Sequence, residues 1–346
     1  MRILLLAGGG GTRLWPLSTD ERPKQFLSLL SDRSLLAETY ERVAPAAEDV
    51  FVATAQRHVP LVRQALPGLP PGCILAEPAR RNSGPALLSA ALLFAEKGDP
   101  LTAAVPSDHT TADPEAFRRT LASAASAADT ATVVLFGVPP TRPETDYGYL
   151  ELGEEVPGRG MEVLRFIEKP GAAEAEGYVK AGYLWNAGIF LFRPSRLLAE
   201  ARRVAPDLMR GLEAYRQAVA ARQRAAARRA YESLPAISID YAVMEKASGV
   251  RAIALRAGWS DVGTWRSVRD LRGPSDERGN LVLSPVPVLA PGVRDTAIVV
   301  CPTGVLVLPL AQEAGLRPAV ERLAASRPGA RQRASPRRQS RSRKPR

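Results

Sequence analysis

The chain has 346 residues, 45% of them hydrophobic, which is enough for one large domain, a smaller one and a sizeable core. No apolar run approaches the roughly eighteen residues of a membrane helix, and two distant cysteines, Cys73 and Cys301, build neither a disulfide framework nor a zinc site. The net charge of +11 belongs to the end of the chain: Arg327 to Arg346 hold nine basic and no acidic residues and leave a body at about +2. A reducing, cytoplasmic setting and no membrane insertion are expected. Met1-Arg2 followed by five apolar residues is too short for a signal peptide and runs straight into a glycine turn.

Ile3 to Ala7 reads as a buried strand. It breaks into Gly8 to Gly11, then Thr12 and Arg13, with Lys24 eleven residues further on. Glycines permit positive φ and close approach of a ligand to the main chain. Successive exposed N–H groups there form an anion-binding concavity. With two cations nearby, the stretch reads as a polyphosphate cradle; a hairpin or helix-end glycine cluster is the structural alternative. The dinucleotide fingerprint lacks its third glycine, and the P-loop lacks its lysine after Gly11. Only six lysines stand against forty-one arginines. Ammonium and guanidinium are not interchangeable at a tight phosphate site, so Lys24 and Lys169 are marked as point charges.

Gly8-Gly9-x-Gly11-Thr12-Arg13-Leu14-Trp15-Pro16-Leu17 and Pro23-Lys24-Gln25-Phe26 resemble the signature of the sugar-1-phosphate nucleotidyltransferases. The Leu-Trp-Pro-Leu and Pro-Lys-Gln-Phe words are similar to the mannose-1-phosphate guanylyltransferase branch. The resemblance implies a Rossmann-like α/β fold with a mixed, mostly parallel sheet (GT-A-like), followed by a small β region. It implies that Leu6, Ala7, Gly8, Gly9, Gly11, Thr12, Arg13 and Lys24 hold the nucleotide.

Further along, Ser34 to Ala47 has helical spacing and Asp49 to Thr54 reads as a strand, completing a βαβ unit. A short strand at Ile74 to Ala76 leads to Glu77-Pro78…Arg81-Asn82-Ser83-Gly84-Pro85 and a helix from Ala86 to Lys97. Asn82 or Ser83 caps that helix. The word is also similar to the family's base-lining loop, which implies nucleotide contacts for Glu77, Arg81 and Asn82. Leu101 to Val105 is a strand ending in Pro106-Ser-Asp108-His109. A carboxylate past the C-terminal end of a parallel strand lies where open α/β sheets bind ligands. Asp108 resembles the family's Mg²⁺ aspartate, with a turn cap as its structural alternative. His109 reads as a hydrogen-bonder.

Asp113-Pro114-Glu115 starts a helix to about Ala128, and Thr132 to Val138 is a strand. Pro139 to Tyr149 resembles the family's Pro-Thr-x-Pro-Glu-Thr-Gly-Tyr-Gly-Tyr segment, with Asp146 in place of a glycine. Aspartate tolerates the left-handed region, so the turn is expected to survive, at the cost of a negative charge near a phosphate site. Tyr147 and Gly148, then Glu168 and Lys169 after the strand Val163 to Ile167, then Asn186 and Gly188 match the family's order for sugar-phosphate binding. Pro194 to Tyr231 is helical, rich in Ala and Arg, and reads as a surface excursion with a solvated arginine face. Ser238 to Lys246 resembles the family's Ser-x-Asp-Tyr…Met-Glu-Lys helix. After a strand at Ala252 to Leu255, Asp261 resembles the second Mg²⁺ carboxylate or caps a helix near Gly263; both roles are compatible.

Short apolar runs at 281–283, 286–288, 297–300 and 305–308 suggest a short β-helix, and Glu313 to Ala325 a closing helix. The expected domains are 1–272 catalytic, 273–326 a small β region with its helix, and 327–346 a disordered tail. The resemblance implies Mg²⁺-dependent in-line attack by mannose 1-phosphate on the α-phosphorus of GTP, giving GDP-mannose and pyrophosphate. Arg13, Lys24 and Lys169 would stabilise charge. The attacking phosphate is already ionised, so no general base is required. A different base or hexose, and a non-catalytic sugar-nucleotide or RNA-binding relative, stay open. So do a homodimer and weak RNA contact through the tail. No fused isomerase domain is expected.

Overall fold

The structure, a computed structural model, describes residues 1–9, 13–128 and 132–326. Gly11, Thr12 and the whole tail therefore lie outside the described residues. Two compact units separate: one from the described residues of 1–9 and 18–263, the other from 13–17 and 264–326.

The first unit is built on a nine-stranded mixed sheet. In chain order its strands, with a separate two-stranded ribbon, are β1 (Arg2–Leu6), β2 (Asp49–Ala55), β3 (Ile74–Glu77), β4 (Thr102–Pro106), β5 (Thr110–Thr111), β6 (Val133–Val138), β7 (Gly148–Val156), β8 (Gly160–Glu168), β9 (Leu184–Phe192), β10 (Val250–Ala254) and β11 (Trp259–Ser260). The sheet order is β3-β2-β1-β4-β9-β6-β10-β8-β7. The first four strands are parallel; β9 runs antiparallel between β4 and β6. Successive side chains of a strand point to opposite faces. Ile3 and Leu5 accordingly join one core and Leu4 the other. The helices Leu35–Val43 and Pro114–Ser123 cover the first face, and Ser83–Ala95, Pro194–Val204 and Pro206–Ala220 the second.

Register puts the strand ends that hold the expected site residues on one edge. Leu6 pairs with Ala53 and with Pro106, so β1, β2 and β4 end together. The antiparallel β9 starts at that edge, with Asn186 opposite Gly137, and Gly148 pairs with Glu168. The ribbon completes it: β11 pairs with β5, Ser260 opposite Thr110, which carries Asp261 back beside Asp108.

Several sequence expectations are corrected. Residues 194–231 are not a surface excursion. Three helices there bury Leu197, Leu198, Leu208, Leu212 and Tyr231 in the second core, where they outweigh the exposed arginine face. The strand Leu184–Phe192 and the helix Ala172–Lys180 were not foreseen. The helix expected from Ala86 starts at Ser83, capped by Asn82, whose Oδ1 accepts from the Ser83 N–H at 2.8 Å. Asp146 is not among the residues with positive φ, so the left-handed turn that aspartate was expected to tolerate is not required of it.

In the second unit, β12 (Leu281–Leu283) lies parallel to β13 (Thr296–Cys301), and β14 (Gly304–Pro309) returns antiparallel as a hairpin. Residues 286–288 form no strand: Pro285 and Pro287 remove donors, and Val286 is 56% exposed. The helix Trp265–Arg272, read with the first domain in sequence, belongs here. Trp265 is fully buried and its Nε1 donates to the Trp15 carbonyl at 3.2 Å, while Arg266 donates to the Leu310 carbonyl at 2.8 Å. Thr303 donates to the Pro16 carbonyl at 2.6 Å, so residues 13–17 are fastened within this unit. The helix Leu316–Ser326 closes it.

Candidate active site

At the end of β1 the main chain is held by its own carbonyls. The Leu6 carbonyl accepts from the Ser107 hydroxyl at 2.9 Å, and the Ala7 carbonyl accepts from Thr54 Oγ1 at 2.9 Å and Gln25 Nε2 at 2.8 Å. Gln25 also reaches the Gly9 carbonyl at 3.4 Å. Gly8 and Gly9 are not among the positive-φ glycines. Their value is therefore access to the main chain and not the left-handed turn that the glycine run suggested.

Lys24, on the short 3₁₀ turn Lys24–Phe26, is 7% exposed. Its Nζ lies 3.1 Å from Asp108 Oδ2 and also donates to the main-chain carbonyl of Asp261. One ammonium thus bridges the Asp108 carboxylate and the Asp261 main chain, across 84 and 237 residues of chain. The Asp261 carboxylate accepts from the Tyr147 hydroxyl at 2.7 Å and from the Gly263 N–H at 3.0 Å. Burial and the Asp261 charge push the Tyr147 hydroxyl well above the ordinary phenol value, so it stays a donor. His109 Nδ1 accepts from Trp259 Nε1 at 3.2 Å. Burial lowers its pKa, which fits a neutral structural ring. Its carbonyl is held by Arg42 at 3.0 Å, a buried residue that burial lowers to about 10.

A second acidic cluster sits where β8 ends. Lys169 Nζ lies 3.2 Å from Glu168 Oε1. Burial, then the neighbouring Asp240, push Glu168 up to about 7. Burial also raises Asp240, which accepts from Asn186 Nδ2 at 3.2 Å. The other end of the Asn186 amide accepts from the Gly188 N–H at 3.1 Å, where φ is +67°. A Cβ on Gly148 would stand 2.6 Å from Glu168 Oε2, so only glycine leaves that carboxyl its place. Asp240 was missed as a site residue, although its Ser-x-Asp-Tyr word was in view.

The remaining expected residues are distributed as follows. Glu77 is buried at the end of β3 and accepts from the Tyr231 hydroxyl. Burial pushes it up to about 7, offset in part by that hydrogen bond. Arg81 donates to the Glu232 carbonyl. Arg13 is exposed in the second unit. Tyr231 could not be foreseen, because its segment reads as alanine and arginine. Among the described residues no group of three or more His, Cys, Asp or Glu side chains forms a metal cluster. No helix among them is long and apolar enough to cross a membrane.

Residues 2–273 match the family model described as "Nucleotidyl transferase". The chain is 42% identical over 287 residues to the xanthan biosynthesis protein XanB of Xanthomonas campestris, covering 80% of this chain and 60% of that one. It is 38% identical over 296 residues to the mannose-1-phosphate guanylyltransferase ManC of Salmonella typhimurium, again covering 80% and 60%. The chain thus spans about 60% of the length of these curated relatives. The crystal structure of a mannose-1-phosphate geranyltransferase from Thermus thermophilus is similar at TM-score 0.81 and 34% identity, covering 93% of this chain and 98% of that one.

Proposed function

The chain belongs to the nucleotidyl transferase family, and on that premise we propose that it transfers GMP from GTP to mannose 1-phosphate, giving GDP-mannose and pyrophosphate. The observation that carries this reading is Lys24, buried and held by Asp108 and by the Asp261 carbonyl at the ligand edge of the sheet. The names of the guanylyltransferase relatives support the choice of base and hexose.

Asp108 and Asp261, tied to Lys24 through a carboxylate and a main-chain oxygen, are the residues that would hold Mg²⁺, a hard ion that takes one or two carboxylates and phosphate oxygens. When bound there, the ion would neutralise charge developing on the triphosphate. The Ala7–Gly9 main chain, held by Gln25 and Thr54, leaves backbone near the phosphates with no side chain in the way. Lys24 supplies a fixed positive charge toward the triphosphate and the departing pyrophosphate. Tyr147 orients the Asp261 carboxylate. Lys169 meets the sugar phosphate and aligns its oxygen with the α-phosphorus, while Glu168 and Asn186 take hexose hydroxyls. Neither His109 nor any other base is needed, because the nucleophile is a phosphate oxygen. Catalysis is then positioning and charge stabilisation.

The test is pyrophosphate release from a panel of GTP, ATP, UTP and dTTP, each with mannose 1-phosphate and glucose 1-phosphate, with and without Mg²⁺. Turnover confined to GTP, mannose 1-phosphate and Mg²⁺ is expected. A different pair of substrates would move the protein within its family, and no release from any pair would end the reading.

A further inference from the structure

The carboxyl of Glu77, at the end of β3, is half-partnered. It is 9% exposed, and no ion pair to it is among the salt bridges of the described residues. The fully buried Tyr231 donates to its Oε1. Its Oε2 has no hydrogen-bond partner among the described residues and lies 3.6 Å from where a Cβ on Gly8 would stand. A buried carboxyl with one neutral partner is a costly choice for a core, where an apolar side chain of the same size would serve better. Such a group persists where a ligand completes it.

The surroundings are fixed accordingly. Tyr215 packs on the edge of Tyr231, ring centres 4.8 Å apart at 66°. Residues 77–84 are tied to residues 231–239 at three further points. Arg81 donates to the Glu232 carbonyl, the Gly84 N–H to the Ile237 carbonyl at 3.0 Å, and the Ile239 N–H to Ser83 Oγ at 3.0 Å. The last residues of the helix Arg224–Glu232 and the segment after it therefore fix this loop.

We propose that Tyr231 is a positioning residue for base selection: its hydroxyl holds the Glu77 carboxylate so that Oε2 accepts from the N–H edge of guanine. Guanine presents two adjacent donors, N1–H and the 2-amino group, to a carboxylate. Adenine presents the bare N1 lone pair at the same place, which a carboxylate repels. A site built to accept hydrogen bonds rejects the analogue that cannot give them far more strongly than a hydrophobic pocket rejects a change of shape. The proposal rests on the guanylyl reading above.

The test uses the full chain with Tyr231→Phe, which keeps the ring against Tyr215 and removes the hydroxyl. Thermal unfolding should match the unmodified protein. KM for GTP should rise about tenfold with kcat changed by no more than about twofold, and the preference for GTP over ATP should fall in step. Inosine triphosphate, which lacks the 2-amino group, should lose less than GTP. A variant whose GTP-to-ATP preference is intact, or which loses equally on both, overturns the proposal. Calorimetric binding of GDP and ADP to both proteins is read in parallel. If no triphosphate is turned over, the functional reading falls, and binding alone decides the role of Tyr231. Equal affinities of the unmodified protein for GDP and ADP sink it; a GDP preference lost in the variant sustains it.

Discussion

Two pairs of carboxyl groups lie along the same edge of the sheet and are built differently. Asp108 and Asp261 are assembled around the ammonium of Lys24, with the Asp108 side chain still 30% exposed. Glu168 and Asp240 face each other with less solvent, the Glu168 side chain 10% exposed, and both are raised by burial. Around Lys24 the Asp108 carboxylate and the Asp261 carbonyl meet a cation, on a side that solvent still reaches. The Glu168 pair gathers an amide and a lysine on the rim, an environment that suits neutral hydroxyls and one anionic group. Under the proposed function, the contrast would separate phosphate chemistry from sugar recognition by dielectric environment more than by residue type, since both pairs are carboxyls.

The comparison breaks most visibly at Lys24. Asp108→Ala and Asp261→Ala should each lower Mg²⁺-dependent kcat by about 10²–10³ while the fold survives. Circular dichroism and initial rates at limiting Mg²⁺ check this, and unmodified rates in either variant would take that residue out of the centre. At the other pair, Lys169→Ala should raise KM for the hexose 1-phosphate about tenfold and leave KM for the triphosphate alone. An effect confined to the triphosphate would reverse the division of labour.

The smallest expected effect is on stability. Glu168 holds its proton more tightly in the folded chain, at about 7 against an ordinary 4.5. The folded state therefore binds more protons between these values. The stability tied to Glu168 is complete below pH 4.5 and is lost as pH rises through 7. Glu168→Gln should remove on the order of 1–2 kcal/mol of that pH dependence in urea unfolding at pH 5 and pH 8. Glu77, shifted the same way by its own burial, would keep a residual slope. Identical slopes in the two proteins would show that Glu168 is not held as described.

The strand-end acids were legible because a parallel strand reads as an apolar run and its end is marked by polar residues. Asp108 after Thr102–Pro106 is such a case. Asp261 was legible as a residue, but its approach to Lys24 depends on the β5–β11 ribbon, two residues per strand and too short for any periodicity. Tyr231 was illegible for another reason. Its helix, Arg224–Glu232, buries only Ala227 and Tyr231, so the composition of the segment describes its solvent face. Asp240 hid inside a four-residue helix whose cap, Ser238, accounted for the visible pattern. Asn82 was read both as a cap and as a base contact; the structure displays the cap.

Asp261 contributes two oxygens of different kinds: a carboxylate held by Tyr147 and Gly263, and a peptide oxygen held by Lys24. Side-chain replacement erases the first and cannot touch the second. Whatever rate survives in an Asp261 variant therefore measures, in part, an anchor that mutagenesis is blind to. An ester in place of the peptide bond after residue 261, weakening that carbonyl as an acceptor, would expose it.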